Sequence, residues 1–332
     1  MPRAALKSIA LPLARRAEGL LERIGDRDDD APVLEPYLGY ATPDGLVLRG
    51  RVLSHIRRDT PDATQSKWTN VRQMVQLFVT DEVADVAVEA EGVTAVSDTE
   101  GYIRLVVARA ASAGWTDVPV RIVGSEEPAV AFPARVPGPD AAHLVISDID
   151  DTVIETGAHS LARNLWTTFT GSALTRTAHH DAKRLMEALV EEDRNPVFYV
   201  SSSPWNLHDF LEALFERHDL PRGPKFLRDL GITEEGVGAS HGTHKGSAID
   251  EILAANPTLP AYLMGDSGQK DAIVYRDAIR RHPGRILGVA LREPAPGEGD
   301  DDAQAIAEIE ALGVPCFHGP SFDGARHHWG LQ

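Results

Sequence analysis

Three aspartates fall within four positions, Asp148, Asp150 and Asp151, directly behind an apolar run in the stretch HLVISDIDDTVIETG, residues 143–157. Two carboxylates about 4 Å apart repel by about 4 kcal/mol at the effective dielectric of a protein site, so such a cluster needs a counter-charge or a raised pKa. A hard divalent cation is the simplest counter-charge, because Mg²⁺ takes carboxylate and carbonyl oxygens and commonly shares its shell with a substrate phosphate. The alternative is a strand-to-helix turn in which one Asp caps the helix.

Three further clusters carry polar groups of matching chemistry. In FYVSSSPWNL, residues 198–207, Ser201 leaves an apolar run and Pro204 stands where a helix begins, so hydroxyls and helix-start amides meet in a phosphate-compatible corner. In HGTHKGSAIDEIL, Lys245 opens a helix whose apolar face runs Ile249, Ile252, Leu253. In YLMGDSGQKD, residues 262–271, Asp266 ends a strand and Asp271 follows within the next helical turn. Each has a plainer reading taken alone: a helix start, a surface lysine, a turn.

The elements that position these residues are legible in the period of apolar residues. From residue 141 onward, short strand-like runs (HLVIS, PVFYVS, PKFLRDL, AYLMGD, RILGVAL) alternate with helical stretches near 180–193, 205–218, 244–255, 269–282 and 302–312. Such alternation predicts a doubly wound, mostly parallel α/β sheet, whose ligands bind beyond the carboxyl ends of the strands. All four clusters sit at such ends. Residues 36–136 instead hold short β-rich runs separated by turn signals such as TPDG and DTEG, which predicts a β-sandwich, with NVRQMVQLF as an inserted helix. The Pro-Gly-Pro at 137–139 is the expected boundary, and residues 141–332 form the second domain.

Residues 1–35 read as an amphipathic basic helix and linker, with Leu6, Ile9, Leu13, Leu20, Leu21 and Ile24 on one face and arginines and Lys7 between them. Either the helix docks on the protein's own core or it lies on an anionic membrane. Lys7 interrupts the apolar part and no small-residue cleavage site follows, so export is not expected. A net charge of −17 argues against a general nucleic-acid binder. The single cysteine, Cys316, allows no internal disulfide and no thiolate cluster. No apolar stretch reaches the 18 or so residues of a membrane span. A cytoplasmic enzyme, peripheral at a membrane if the basic helix binds lipid, is the expectation.

Asp-Ile-Asp-Asp-Thr, a strand-end Ser, a helix-start Lys and Gly-Asp-x4-Asp, in that order, resemble the four motifs of the haloacid dehalogenase phosphatase superfamily, which implies a Rossmann-like catalytic domain. Within it, SDIDDTV, YVSSSPWNL, GPKFLRDLGI, HKGSAIDEIL and LMGDSGQKD, spanning about residues 143–292, are similar to the catalytic domain of actin-patch-protein-type phosphatidate phosphatases, relatives of the lipins. The resemblance implies Asp148 as nucleophile forming an aspartyl-phosphate, and Asp150 as general acid and then base. It implies Mg²⁺ on Asp148, the Asp150 carbonyl and Asp266, with Asp271 as ligand or close support. Ser201 and Lys245 would hold the phosphoryl oxygens. Thr152, which supports the loop, Ser202 and Trp205 are the further candidates for substrate contact. Residues 153–180 lie where this superfamily places caps, too short for a folded cap domain, and their apolar side chains either form a lip for a membrane-borne phosphomonoester or pack on the core. Phosphatidate or another lipid phosphate is the substrate the resemblance favours. Soluble small-molecule phosphates are the alternative, and a non-enzymatic membrane or protein adaptor is the third.

Overall fold

The structure, a computed structural model, describes residues 31–54, 82–155, 177–228, 241–268, 270–293 and 300–331. The expected N-terminal basic helix, the inserted NVRQMVQLF helix and most of the cap-position segment lie outside these residues. No helix among the described residues is long and apolar enough to cross a membrane.

The described residues of the first half form strands, turns and loops. Strands β1 (Val33–Thr42), β2 (Gly45–Leu53), β3 (Ala87–Ala90), β4 (Val93–Val96), β5 (Tyr102–Val107), β6 (Gly114–Ile122) and β7 (Val130–Val136) pair in the order β4-β3-β6-β7-β1-β2-β5. The sequence predicted two facing sheets; the strands instead pair as one sheet that curls until its end strands, β4 and β5, come into contact. Its inner face holds Leu48, Val88, Leu105, Val118, Val120 and Phe132, all shielded from water. Burial of these side chains, at about 25 cal/mol per Å² of apolar area, drives the curl.

The second half is a six-stranded sheet, β8 (Leu144–Asp148), β9 (Val197–Pro204), β10 (Lys225–Arg228), β11 (Ala261–Asp266), β12 (Ile286–Arg292) and β13 (Cys316–Gly319). Every pairing is parallel and the order is β10-β9-β8-β11-β12-β13. From β8 the chain steps outward through β9 and β10, then returns to β11 on the other side of β8 and steps outward again. The order therefore reverses between β8 and β11, where neighbouring connections leave in opposite directions and open a crevice at the strand ends.

Alternation along the buried strands fixes which helix covers which face. Leu144, Ile146, Phe198, Val200 and Leu263 face α3 (His241–Ala255), α4 (Asp271–Arg281) and α5 (Asp300–Ala311). Val145, Tyr199 and Met264 face α1 (His180–Val190), α2 (His208–His218) and the short C-terminal α6 (Ala325–His328). In α1, Ala182, Leu185, Met186, Leu189 and Val190 are buried, the one-sided spacing that packing of a helix on a sheet requires. With helices on both faces, the sheet is doubly wound, as the alternation of its sequence predicts.

The two halves pack tightly. Tyr40 and Val47 of the β domain belong to the core of the α/β half, and the Tyr40 hydroxyl donates to Glu251 Oε1 at 2.5 Å.

Candidate active site

β8 stops at Asp148, and the chain turns at once. Asp151 takes a left-handed backbone with φ of 58°, and its N–H donates to Ile154 O at 2.8 Å, while Val153 N–H and Ile154 N–H both reach back to Ile149 O. Asp151 therefore makes the turn, and Asp148 and Asp150 are brought onto one side of it. Asp148 aligns with Val200 of β9, so Ser201 follows one step beyond it, and Met264 of β11 aligns with Ser147, so Asp266 lies close on the other flank. Parallel register alone thus collects three strand tips at the place where the strand order reverses.

Lys245, from α3, bridges two acids: its Nζ lies 2.8 Å from Asp148 Oδ1 and 2.5 Å from Asp271 Oδ1. Asp271 opens α4, and its other oxygen accepts from Asp266 N–H at 3.3 Å. Asp266 Oδ1 accepts from Gly268 N–H at 2.8 Å. Thr152 Oγ1 donates to Asp148 Oδ2 at 3.2 Å. Ser201 makes a contact the sequence reading did not anticipate. Its hydroxyl donates to Asp150 Oδ2 at 2.8 Å, Ser203 Oγ donates to the same oxygen at 3.0 Å, and Ser203 N–H donates to Ser201 Oγ at 2.9 Å. Ser202 is buried between them in β9. Trp205 lies in the single 3-10 turn after β9, stacked on Tyr37 of the β domain with centroids 5.0 Å apart and planes within 6°.

Three residues without an assigned role in the sequence reading also shape the site. Ser203 was signalled by period two, which places it on the same side of β9 as Ser201. Tyr275 stands one helical turn beyond Asp271, and its hydroxyl donates to Met264 O at 2.7 Å. Gly265 leaves room for both: a Cβ there would lie 2.6 Å from Asp271 Oδ2 and 2.7 Å from the Tyr275 hydroxyl.

The electrostatics follow from burial of like charges. Asp148, Asp150, Asp266, Asp271 and Lys245 are each at most 3% exposed. Burial pushes the Asp148 carboxyl well above the usual carboxylate range; Lys245 opposes this, and Asp271, Asp150 and Asp266 add to it. Burial also raises Asp150, against the pull of the Ser201 and Ser203 hydroxyls. Burial disfavours the Lys245 charge, but Asp148, Asp271 and Asp266 outweigh it and hold the ammonium above the usual lysine range.

One oxygen each of Asp148, Asp266 and Asp271 lies within 4.8 Å of the others. Opposite ligands of an octahedral Mg²⁺ at about 2.1 Å stand about 4.2 Å apart, so small shifts would close this set on one hard cation. The all-oxygen donors and the surplus of acids over Lys245 both suit a divalent metal.

The chain on either side of residues 156–176 is joined by backbone hydrogen bonds. Glu155 N–H donates to Thr177 O at 3.0 Å and His179 N–H to Val153 O at 2.8 Å, forming a short antiparallel stem.

Residues 143–293 match the family model described as phosphatidate phosphatase APP1, catalytic domain. This half of the chain resembles that catalytic domain. A Saccharomyces cerevisiae protein named phosphatidate phosphatase APP1 is 30% identical over 172 residues, covering 48% of this chain and 27% of the yeast protein. An uncharacterized Schizosaccharomyces pombe protein is 29% identical over 168 residues, covering 49% of this chain and 27% of its own length. The chain thus spans about a quarter of the length of each of these relatives, and the range that the family model matches includes Asp148, Asp150, Lys245, Asp266 and Asp271. Among solved structures, a protein described as a beta-phosphoglucomutase from Thermotoga maritima aligns with a TM-score of 0.31 at 11% identity, over 55% of this chain and 95% of that one. A score that low says nothing about fold.

Proposed function

We propose that the chain is a Mg²⁺-dependent phosphomonoester hydrolase of the haloacid dehalogenase type, with a lipid phosphate such as phosphatidate as its substrate class. The observation that carries this reading is the pair of acids on the β8 turn: Asp148 ion-paired to Lys245, and Asp150, two residues on, gripped by Ser201 and Ser203. Two carboxyls so close yet so differently held are suited to different tasks, one as nucleophile and one as acid and base.

In the first step an Asp148 oxygen attacks phosphorus and the bond from phosphorus to the ester oxygen breaks. Asp150 gives its proton to the departing alkoxide, and Asp148 is left as an acyl phosphate. In the second step Asp150 takes a proton from water, whose oxygen attacks phosphorus; the acyl phosphate opens, releasing inorganic phosphate and restoring Asp148. Lys245, already at Asp148, is placed to offset charge gathering on the phosphoryl oxygens. A divalent cation held by Asp148, Asp266 and Asp271 would add Lewis-acid polarisation of the phosphoryl group. Ser201 serves this scheme by holding Asp150 in place.

The family match favours a phospholipid over a soluble metabolite. Phosphate release from vesicles containing phosphatidate and from a panel of soluble phosphomonoesters, with Mg²⁺ and with chelator, tests the reading. Turnover confined to the lipid and dependent on the metal is expected. Efficient turnover of sugar phosphates alone would move the assignment to soluble substrates, and full activity in excess chelator would remove the metal.

A further inference from the structure

β1 carries a one-residue bulge that changes what its tyrosines can touch. Tyr37 is aligned with Arg49 and Tyr40 with Val47, so three steps along β1 are matched by two along β2. In a regular strand residues three apart point to opposite faces; the extra residue turns both rings toward the α/β domain. Gly39 makes the bulge possible, since a Cβ there would lie 2.2 Å from Val47 O. Tyr40 goes into the core against Phe226 and Phe198. Tyr37 goes instead to the end of β9. Its ring stacks on Trp205 at 5.0 Å and lies 4.0 Å from the His208 ring, while Tyr102 closes on Trp205 from β5 at 6.0 Å. Trp205 is two residues beyond Ser203. β8 stops pairing with β9 at Val200, and β10 follows β9 to Pro204 only through a register irregularity between Phe226 and Arg228, so the stack adds lateral support at that end.

We propose that Tyr37 is a positioning residue for the phosphoryl site: stacked on Trp205 and His208, it holds the end of β9 at which Ser201 and Ser203 grip Asp150. The inference rests on the reading of Asp150 as acid and base. It assigns the β domain a part in the chemistry, which reaches across the domain boundary through one aromatic stack.

A titratable pair sits beside the stack. Glu35 of β1 pairs with Asp209 of α2, and the Tyr37 hydroxyl donates to Glu35 Oε2 at 3.2 Å. The other groups facing the pair are Arg51 on β2 and His208 on α2, with Tyr102 close to the Tyr37 hydroxyl. Burial, and then Asp209, push Glu35 up to about 8 from an ordinary value of 4.5. The docked state therefore holds a proton that an undocked Glu35 releases near 4.5; docking is favoured at low pH, weakens as pH rises from there to about 8, and is level above.

Tyr37→Ala, Tyr37→Phe and Glu35→Gln in the full chain test the proposal by two independent measurements. The first is hydrogen exchange of peptides covering residues 197–207, corrected for intrinsic rates. Exchange should rise in Tyr37→Ala and return to the parent level in Tyr37→Phe, which keeps the ring. In the parent it should rise between about pH 4.5 and 8, and in Glu35→Gln that pH dependence should vanish. The second is rapid-quench phosphoenzyme formation from an alkyl and from an aryl phosphate. Misplacing Asp150 should slow the alkyl substrate, whose leaving group needs a proton, about 10- to 100-fold and the aryl substrate little. Unchanged exchange in Tyr37→Ala, or equal slowing of both substrates, overturns the proposal. If the parent forms no phosphoenzyme from any substrate, the catalytic reading fails while the exchange data still decide whether Tyr37 holds the end of β9.

Discussion

Two of the places where the molecule buries charge are built on different rules. At the interface of the domains the charge is cationic. Arg49 donates to Leu38 O at 2.8 Å and lies 4.6 Å from the Phe226 centroid and 5.2 Å from that of Tyr40; Arg51 donates to Glu100 O at 2.8 Å, pairs with Glu82 and lies 4.6 Å from Tyr102. Each guanidinium arrives with carbonyls and ring faces that replace the water it loses. At the tips of β8 and β11 the charge is anionic, and Asp148, Asp150, Asp266 and Asp271 crowd around Lys245. A buried charge with its own partners can be explained by packing. A buried surplus of one sign, at the crevice where strand order reverses, is relieved either by protonation, which burial favours at Asp148 and Asp150, or by a bound group of opposite sign.

The largest test of that contrast is chemical. Asp150→Asn should slow turnover of an alkyl phosphomonoester by about 10² to 10⁴ yet still allow label from an aryl phosphate to accumulate on the peptide containing residues 143–157, since Asp148 remains. Asp148→Asn should show no label at all. Rapid quench and mass spectrometry read both; label on Ser201 in either variant would end the aspartyl-phosphate scheme.

Lys245→Met sharpens the contrast through stability. Removing one partner of a buried ion pair typically costs about 3–5 kcal/mol, and here it leaves Asp148 and Asp271 facing each other. Thermal unfolding should show a large loss in chelator that Mg²⁺ partly restores. Arg49→Met should lose less, about 1–3 kcal/mol, chiefly because Leu38 O is left without its donor, and Mg²⁺ should not change that loss. Equal metal responses in the two variants would erase the distinction drawn between the two regions.

The smallest effect is expected at Asp181, where charge is balanced on the outer part of the α/β half. Its carboxylate accepts from Arg292 Nη2 and from Phe322 N–H, each at 2.7 Å. Burial would raise its pKa, but these bonds outweigh burial and hold it down to about 2. A depressed carboxyl contributes stability that is full above its unfolded value near 3.8 and is lost as pH falls through about 2. Allowing for solvent screening, about 1 kcal/mol should disappear between pH 4 and pH 2, and Asp181→Asn should flatten that part of the urea-unfolding profile.

What the sequence by itself determined is whatever depends on order and period. Apolar runs at alternating strand and helix spacing specify a doubly wound sheet, and a strand-end Asp must project beyond that sheet wherever the strand is placed. Asp148, Ser201 and Asp266 therefore stand at strand ends by period alone, and the same rule adds Ser203; that they form one set with Lys245 and Asp271 is what the resemblance of the ordered motifs implies. The choice of partners belonged to the tertiary structure. Ser201 grips Asp150 because β9 lies beside β8 in the register that aligns Val200 with Asp148. The strands of the first half were legible, but whether short strands face one another as two sheets or curl into one depends on which edges meet, and β4 meets β5. Trp205 could be named from the chain as a candidate for substrate contact; that it is held by Tyr37 could not, because one extra residue in β1 reverses the face of every side chain beyond it. Periodicity is a local property and survives in the sequence, whereas strand order, register and bulges are set by the burial of distant segments against one another.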